Sequence, residues 1–298
     1  MSTVLGFLQA FPYQELLIQT LNGIVTGMIL ALIASGLTLI FGIMDVVNFA
    51  HGDLVMLGGF TGAVTVAQTG NFWLGLLVAS VVIGLFGALL QITTLRPLIG
   101  RDPLTTIIAT FGISLVLQKY ALWQFGPTAQ NIPQPIAGRF ELFYLQYPWY
   151  RLGAAVMAGA IIGALYLFLK FGKYGIWIRA TTQDRVMAAA MGIPVPLVHT
   201  GVFAIGAAMA AASGVLFAPL AAVTQTMGFD FTLRAFIVVV VGGMGNLGGS
   251  ILAALFISLL EAYASLVVSP SQAVIVSFVA LILTLLFRPT GLFVPTPK

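Results

Sequence analysis

Cysteine is absent from all 298 residues, which excludes disulfides and thiolate metal sites. Charge is nearly as scarce: 7% of residues are Asp, Glu, Lys or Arg, against about 25% in an ordinary soluble domain. A chain so poor in charge and 60% hydrophobic cannot cover a water-facing surface, so its solvent is lipid. His51 and His199 are the only histidines, and no HExxH pattern or carboxylate cluster accompanies them, so no metal site is expected. No GxxxxGK[ST] loop occurs, which excludes ATP binding in the P-loop manner. The net charge of +4 is spread over short loops without a basic run and does not point to nucleic acid. Met1–Glu15 lacks a basic start and a small-residue cleavage site, and reads as mature sequence rather than a signal peptide.

What is present is mostly membrane span. A bilayer core takes about 20 apolar residues per helix. The candidate spans are Leu16–Phe41, Phe49–Val66, Phe72–Leu95, Leu104–Phe125, Leu152–Leu169, Leu197–Leu220, Ile251–Val268 and Ala273–Phe287. A further run, Ala235–Val241, is short and ends in GGMGNLGGS, which fits a half-helix or re-entrant turn. Irregular backbone at membrane depth survives only where protein or a cavity covers it. The expected fold is all-α: a polytopic membrane helical bundle of about eight full spans plus one short broken segment, in a single transmembrane domain over residues 1–298.

Orientation follows from Lys and Arg. One set of loops holds Arg96, Arg101, Lys170, Lys173, Arg179, Arg185, Arg288 and Lys298; the other holds Lys119, Arg139, Arg151 and Arg234. The bias puts the 172–196 loop and the C-terminus inside and the N-terminus outside. Opposite-side termini need an odd number of crossings, which the broken segment supplies. The outer loop, 126–150, is rich in Pro and aromatics, including Tyr144, Tyr147, Trp149 and Tyr150, and suggests an interfacial belt or a docking site for a soluble partner. Small residues recur four apart at Gly23, Gly27, Ala31 and Ser35, at Ala204, Ala208 and Ala212, and at Gly58 and Gly62, as close helix packing in lipid requires. No clean internal duplication is visible.

Several residues are candidates for a translocation path or gate. Asn48, His51 and Asp53 stand at the start of the second span, where Asn48 is expected to cap a helix beginning at Phe49 and Asp53 to occupy its early turns. They either sit at the helix mouth near water or line a path through the membrane. Gly242, Gly243 and Asn246 belong either to a tight turn in a broken helix or to a backbone-lined ligand site. Asp230 and Arg234 are four apart and are expected to pair on one helical face. Glu261 lies within a span, with snorkelling toward the outer interface beside Tyr263 as the expectation and a proton relay as the alternative. No catalytic residue is assigned.

The 172–196 loop concentrates charge between apolar spans. Within it Thr182 is expected to cap a short helix, with Asp184 in its first turn and Gly192 followed by Pro194 ending it. Met187, Ala188 and Met191 would form an adaptable face, suited to docking in a groove or to resting on lipid headgroups.

Four ordered blocks carry a family resemblance: Ala31–Gly59, Ile178–Ile193, Val239–Leu255 and Phe287–Phe293. In that order they resemble the branched-chain amino acid ABC permeases of the LivH type, over essentially the whole chain. The resemblance implies a permease subunit in a bacterial inner (plasma) membrane, importing branched-chain or other neutral amino acids. It implies a second homologous permease as partner, favouring a heterodimer, together with two cytoplasmic ABC ATPases and a periplasmic or extracytoplasmic binding protein. ATP and Mg would be bound by the ATPases, and no cofactor by this chain. Gln183, Asp184, Arg185, Ala188, Met191 and Gly192 would form the ATPase-coupling element, moved as a lever when the ATPases close.

Three alternatives stay open at this level. One is a proton-coupled secondary transporter of a small polar solute, using Asp53, Glu261 and His51. Another is a urea or amide importer permease of the same type. The third is an intramembrane enzyme, for which His51 is the only imidazole near a span mouth with a carboxylate close by.

Overall fold

The computed structural model describes residues 13–142 and 145–293; the expectations for Tyr144 and Lys298, and most of that for Met1–Glu15, lie outside the described residues. The described residues form eleven α-helices and one two-stranded hairpin. The first four helices are α1 (Tyr13–Met44), α2 (His51–Thr69), α3 (Phe72–Leu90, continued by a π turn and a 3-10 turn to Leu98) and α4 (Pro103–Phe125). The strands β1 (Arg139–Leu142) and β2 (Leu145–Pro148) follow, then α5 (Trp149–Phe171) and the short α6 (Lys173–Gln183) and α7 (Arg185–Ala190). The last four are α8 (Val195–Phe217), α9 (Met227–Gly242), α10 (Leu247–Ala264) and α11 (Pro270–Phe287).

The two ends of the bundle differ. At the hairpin end, the Tyr147 hydroxyl donates to Asn22 Oδ1 (3.1 Å) and the buried Tyr150 hydroxyl donates to the Leu216 carbonyl (2.7 Å). These bonds bring the start of α1 and the finish of α8 together. Phe140 packs on Trp149 at 4.7 Å, so part of the aromatic outer loop closes on itself as a hairpin. The short-helix end carries α6 and α7. The expected short, broken element is present as α9, and the expected spans are helices with boundaries moved by a few residues.

Among the described residues, seven helices are long and apolar enough to cross a membrane: α1, α3, α4, α5, α8, α10 and α11. The second expected span is not among them, and the reason is positional. After Asp45 the chain runs back into the bundle without helical structure, and α2 starts only at His51. There the His51 ring meets the Ile33 carbonyl at 3.2 Å. Ile33 lies eleven residues before the end of α1, about 16 Å along a helix axis. The helix is short of lipid-compatible side chains because protein surrounds it; every residue from His51 to Phe60 is buried.

α9 is built likewise. The segment after α8 bridges to the outer loop through Gln130 and Val223 and then turns inward, so that α9 begins against the first turn of α2. A Cβ on Gly52 would lie 2.0 Å from the Gly228 carbonyl, so the two backbones touch where only glycine fits. Thr232 Oγ1 accepts from the Gly52 N–H at 3.0 Å and lies 3.0 Å from the Phe49 carbonyl, to which it donates. Irregular backbone is thereby covered and hydrogen-bonded at depth, as a non-aqueous surround demands.

An internal repeat becomes visible in the packing. α1 packs on α10 as α8 packs on α3; α2 meets α8 as α9 meets α1; α2 meets α3 and α4 as α9 meets α10 and α11. α1 runs from the hairpin end to the short-helix end, while α8 runs the other way. The two four-helix units are therefore inverted copies, a recurrent architecture of membrane transporters. The small-residue stripes lie at these joints: Gly23 and Gly27 against Leu259 and Leu255 of α10, Gly58 and Gly62 against Ala211 and Val215 of α8. The copies are not equal. α11 packs on α10, whereas α4 stands off from α3 across an apolar cleft of about 830 Å³ lined by Ile83, Phe86, Ile113 and Val116.

Candidate functional site

The junction of α2 and α9 holds the first group of candidate residues. Asn48 does not cap a helix at Phe49: its Oδ1 accepts from the Ala50 N–H at 3.1 Å, turning the chain two residues before the helix begins. His51 and Asp53 do not sit at a wet helix mouth; both are fully buried. Asp53 lies in the first turn of α2 and against Gly228, whose Cβ, if present, would be 2.4 Å from Oδ1. Its carboxylate thus faces two helix N-termini, where partial positive charge favours an anion. Ser114 and Gln118 of α4 stand beside it, joined by a 3.0 Å hydrogen bond from Gln118 Nε2 to Ser114 Oγ. Asn48 Nδ2, His51 Nδ1 and both Asp53 oxygens are buried without a protein hydrogen-bond partner among the described residues. Buried polar groups are normally paired, so this cluster is a candidate place for water. Thr232, Ser114 and Gln118 carry no motif and were not singled out from the sequence.

The charged residues toward the hairpin end are arranged otherwise than expected. Asp230 and Arg234 do not form an ion pair. Arg234 Nη1 instead reaches Glu261 Oε2 on α10 at 2.7 Å, and Ser277 of α11 donates to Oε1 of the same carboxylate. Glu261 is therefore bound inside the bundle rather than snorkelling, and the Tyr263 hydroxyl pairs with Thr20. Local spacing favoured the i,i+4 pair; a less exposed carboxylate, 27 residues away in sequence on α10, took the guanidinium.

At the short-helix end, α7 has a different cap from the one expected. Asp184 Oδ1 accepts from the Val186 and Met187 N–H groups at 2.8 and 2.9 Å, while Thr182 lies within α6 and donates to the Ile178 carbonyl. The helix ends at Ala190, and Gly192 has a φ of 81°. Ala188 points inward and is buried; the outward apolar face is Val186 (81% exposed), Met187 and Met191. Val186 was missed because only periodicity, not a residue type, marks it. Arg185 pairs with Asp45 at 2.7 Å. Gln183 lines a cleft of about 290 Å³ with Thr38, Gly42, Arg179, Thr182 and Gly245.

The glycine segment forms a tight turn at this same end. Gly243 and Gly245 have φ of 97° and 80°, which a side chain would strain. Asn246 caps α10 through the Gly249 N–H, and its Nδ2 donates to the Phe293 carbonyl. The Leu292 N–H donates to the Val241 carbonyl, so the Phe287–Phe293 block seals the turn. Among the described residues no cluster of three or more metal-ligating side chains occurs.

Inverted four-helix units, two helices that begin against each other inside an apolar bundle and unpaired polar atoms at their meeting point define a polytopic membrane transport protein. The comparisons give the family. The family model described as "Branched-chain amino acid transport system / permease component" matches residues 19–285, and the chain belongs to this family. It is 32% identical over 291 residues to the high-affinity branched-chain amino acid transport system permease protein LivH of Escherichia coli K12, covering 92% of this chain and 94% of that protein. It is 30% identical over 294 residues to the corresponding permease protein BraD of Pseudomonas aeruginosa PAO1, with the same coverages. It is 26% identical over 257 residues to the permease protein LivM of Escherichia coli K12, covering 77% of this chain and 60% of that protein.

Proposed function

We propose that this chain is one of two permease subunits of an ATP-driven importer of branched-chain amino acids. Similarity to both LivH and LivM supports a homologous second permease as its partner in a heterodimer. The remaining partners are two ABC ATPases, which bind ATP and Mg, and a substrate-binding protein. The hairpin end faces outward to receive that binding protein, and the short-helix end, with most of the Lys and Arg, faces the cytoplasm.

The observation that carries the coupling role is α7: a capped helix whose exposed face is Val186, Met187 and Met191. Flexible Met side chains suit a groove on a partner surface. When the ATPases close, displacement of α7 is passed to α1 through Asp45 and to α8 through Gly192–Pro194. Substrate then passes beside the junction of α2 and α9, where Asn48, His51 and Asp53 offer polar groups at depth; the turn at Gly242, Gly243 and Asn246 closes the cytoplasmic side.

The test is co-purification under gentle extraction of wild type and a Met187→Asp, Met191→Asp double variant. A P-loop ATPase is expected with wild type and not with the variant. Equal recovery with both would remove α7 as the contact, and no ATPase with wild type would overturn the importer reading.

A further inference from the structure

Asp230 is the acidic residue that the bundle leaves over. It is exposed and has no ion-pair partner among the described residues, because Arg234, one turn further along the same face of α9, is turned to Glu261. Lipid is a poor surround for an unpaired carboxylate, which in membrane proteins faces the bundle interior or a water-filled cavity. Here two cavities adjoin it. One, of about 270 Å³, lies between α1, α9 and the end of α8; the other, of about 470 Å³, opens toward α11. Asp230 and Arg234 line both.

The first cavity has a consistent chemistry. Its apolar wall is Ile29, Leu30, Phe217 and Phe231. Its polar wall offers a free carboxylate and, about 6 Å along the helix axis, a guanidinium that uses one Nη on Glu261 and keeps further N–H donors. The size, about 270 Å³, lies just below the usual range of ligand sites, about 300–1,000 Å³, and suits a molecule of amino-acid size.

We propose that this cavity binds an α-amino acid zwitterion with an aliphatic side chain. Asp230 accepts from the ammonium, Arg234 donates to the carboxylate, and Ile29, Leu30, Phe217 and Phe231 hold the side chain. Glu261 is the positioning residue that holds Arg234 toward α10 and so keeps it from neutralising Asp230. The proposal rests on the importer reading and places a substrate site within the permease itself, on the side facing the hairpin.

The experiment uses the complete importer with its partner permease, ATPases and binding protein, carrying Asp230→Asn or Asp230→Glu. Assembly is checked by ATPase co-purification. Uptake of radiolabelled leucine into proteoliposomes is expected to fall about ten-fold or more with Asp230→Asn, the scale of one lost charge-assisted hydrogen bond. Asp230→Glu is expected to restore most of it.

A second, activity-free measurement is saturation-transfer NMR on the permease–ATPase complex without binding protein. Leucine is expected to give signals with wild type and none with Asp230→Asn. Leucinol, which lacks the carboxylate, and 4-methylpentanoate, which lacks the ammonium, are expected to give none with either. Unchanged uptake and unchanged leucine signals in an assembled Asp230→Asn complex would overturn the site while leaving the importer reading intact. A wild-type complex whose ATP hydrolysis does not respond to leucine-loaded binding protein would sink the importer reading itself, and the site with it.

Discussion

Arg185 Nη2 lies 2.7 Å from Asp45 Oδ2, tying the first residue of α7 to the residue that follows α1. Asp45 is also the one non-glycine residue with positive φ among those described, at 50°, and it starts the segment leading to Asn48, His51 and Asp53. The pair is largely exposed, at 36% and 76%, so it adds about 0–1 kcal/mol to stability. Asp45→Asn and Arg185→Gln are therefore expected to leave the melting temperature nearly unchanged while lowering amino acid transported per ATP hydrolysed several-fold. The charge swap Asp45→Arg, Arg185→Asp should recover part of the loss. A swap no better than the single variants would show that the ion pair does not carry the coupling.

The contact of Gly52 with Gly228 predicts a packing defect. A methyl at Gly52 meets backbone, which cannot rotate away, at 2.0 Å. Gly52→Ala is expected to destabilise by at least about 1–3 kcal/mol, the scale of overpacking, read as a lower melting temperature in detergent. Gly112, with nothing near its Cβ position, is the control, and Gly112→Ala should be neutral or mildly stabilising.

Glu261→Gln strands a guanidinium. Glu261 is 12% exposed and Arg234 33%. Breaking a buried pair from one side costs about 3–5 kcal/mol, and partial exposure of Arg234 puts this case at or below the low end. The Arg234→Gln, Glu261→Gln double variant is expected to be more stable than Glu261→Gln alone. Additive losses in a double-mutant cycle would count against a direct interaction.

The cap of α7 is separable from the fold. Asp184→Ala removes two hydrogen bonds from a six-residue helix, a loss of about 1 kcal/mol confined to that helix. Global unfolding should shift little, while hydrogen exchange at Val186 and Met187 should quicken and ATPase recovery should drop. Asp184→Asn or Asp184→Ser keeps the capping oxygen and is expected to preserve both.

The apolar spans were legible because lipid imposes length and composition on any helix it surrounds. Depth was not. NFAHGD reads the same whether a helix begins at the membrane surface or, as here, deep beside Ile33, since hydropathy counts residues and does not locate them. Asp184 and Thr182 are both good caps two residues apart, and only the backbone chose between them. Arg139–Pro148 was read as Pro- and aromatic-rich loop; its pairing depends on partners in the opposite strand rather than on a long run. The repeat escaped because corresponding helices share packing partners without sharing side chains. Gln183–Gly192 and Asn48–Asp53 were found as segments, but Val186, Asp45 and Thr232, which complete their surroundings, have no residue-type signal.

α5 belongs to neither four-helix copy. Four crossings bring a chain back to the side from which it set out, so a duplicate joined directly would have the same orientation in the membrane as the original. A fifth crossing turns it over. α5 is thus the element of parity: any change that removed this one helix would leave both copies foldable in principle, yet parallel, and the first turns of α2 and α9 would open toward the same face with no reason to meet.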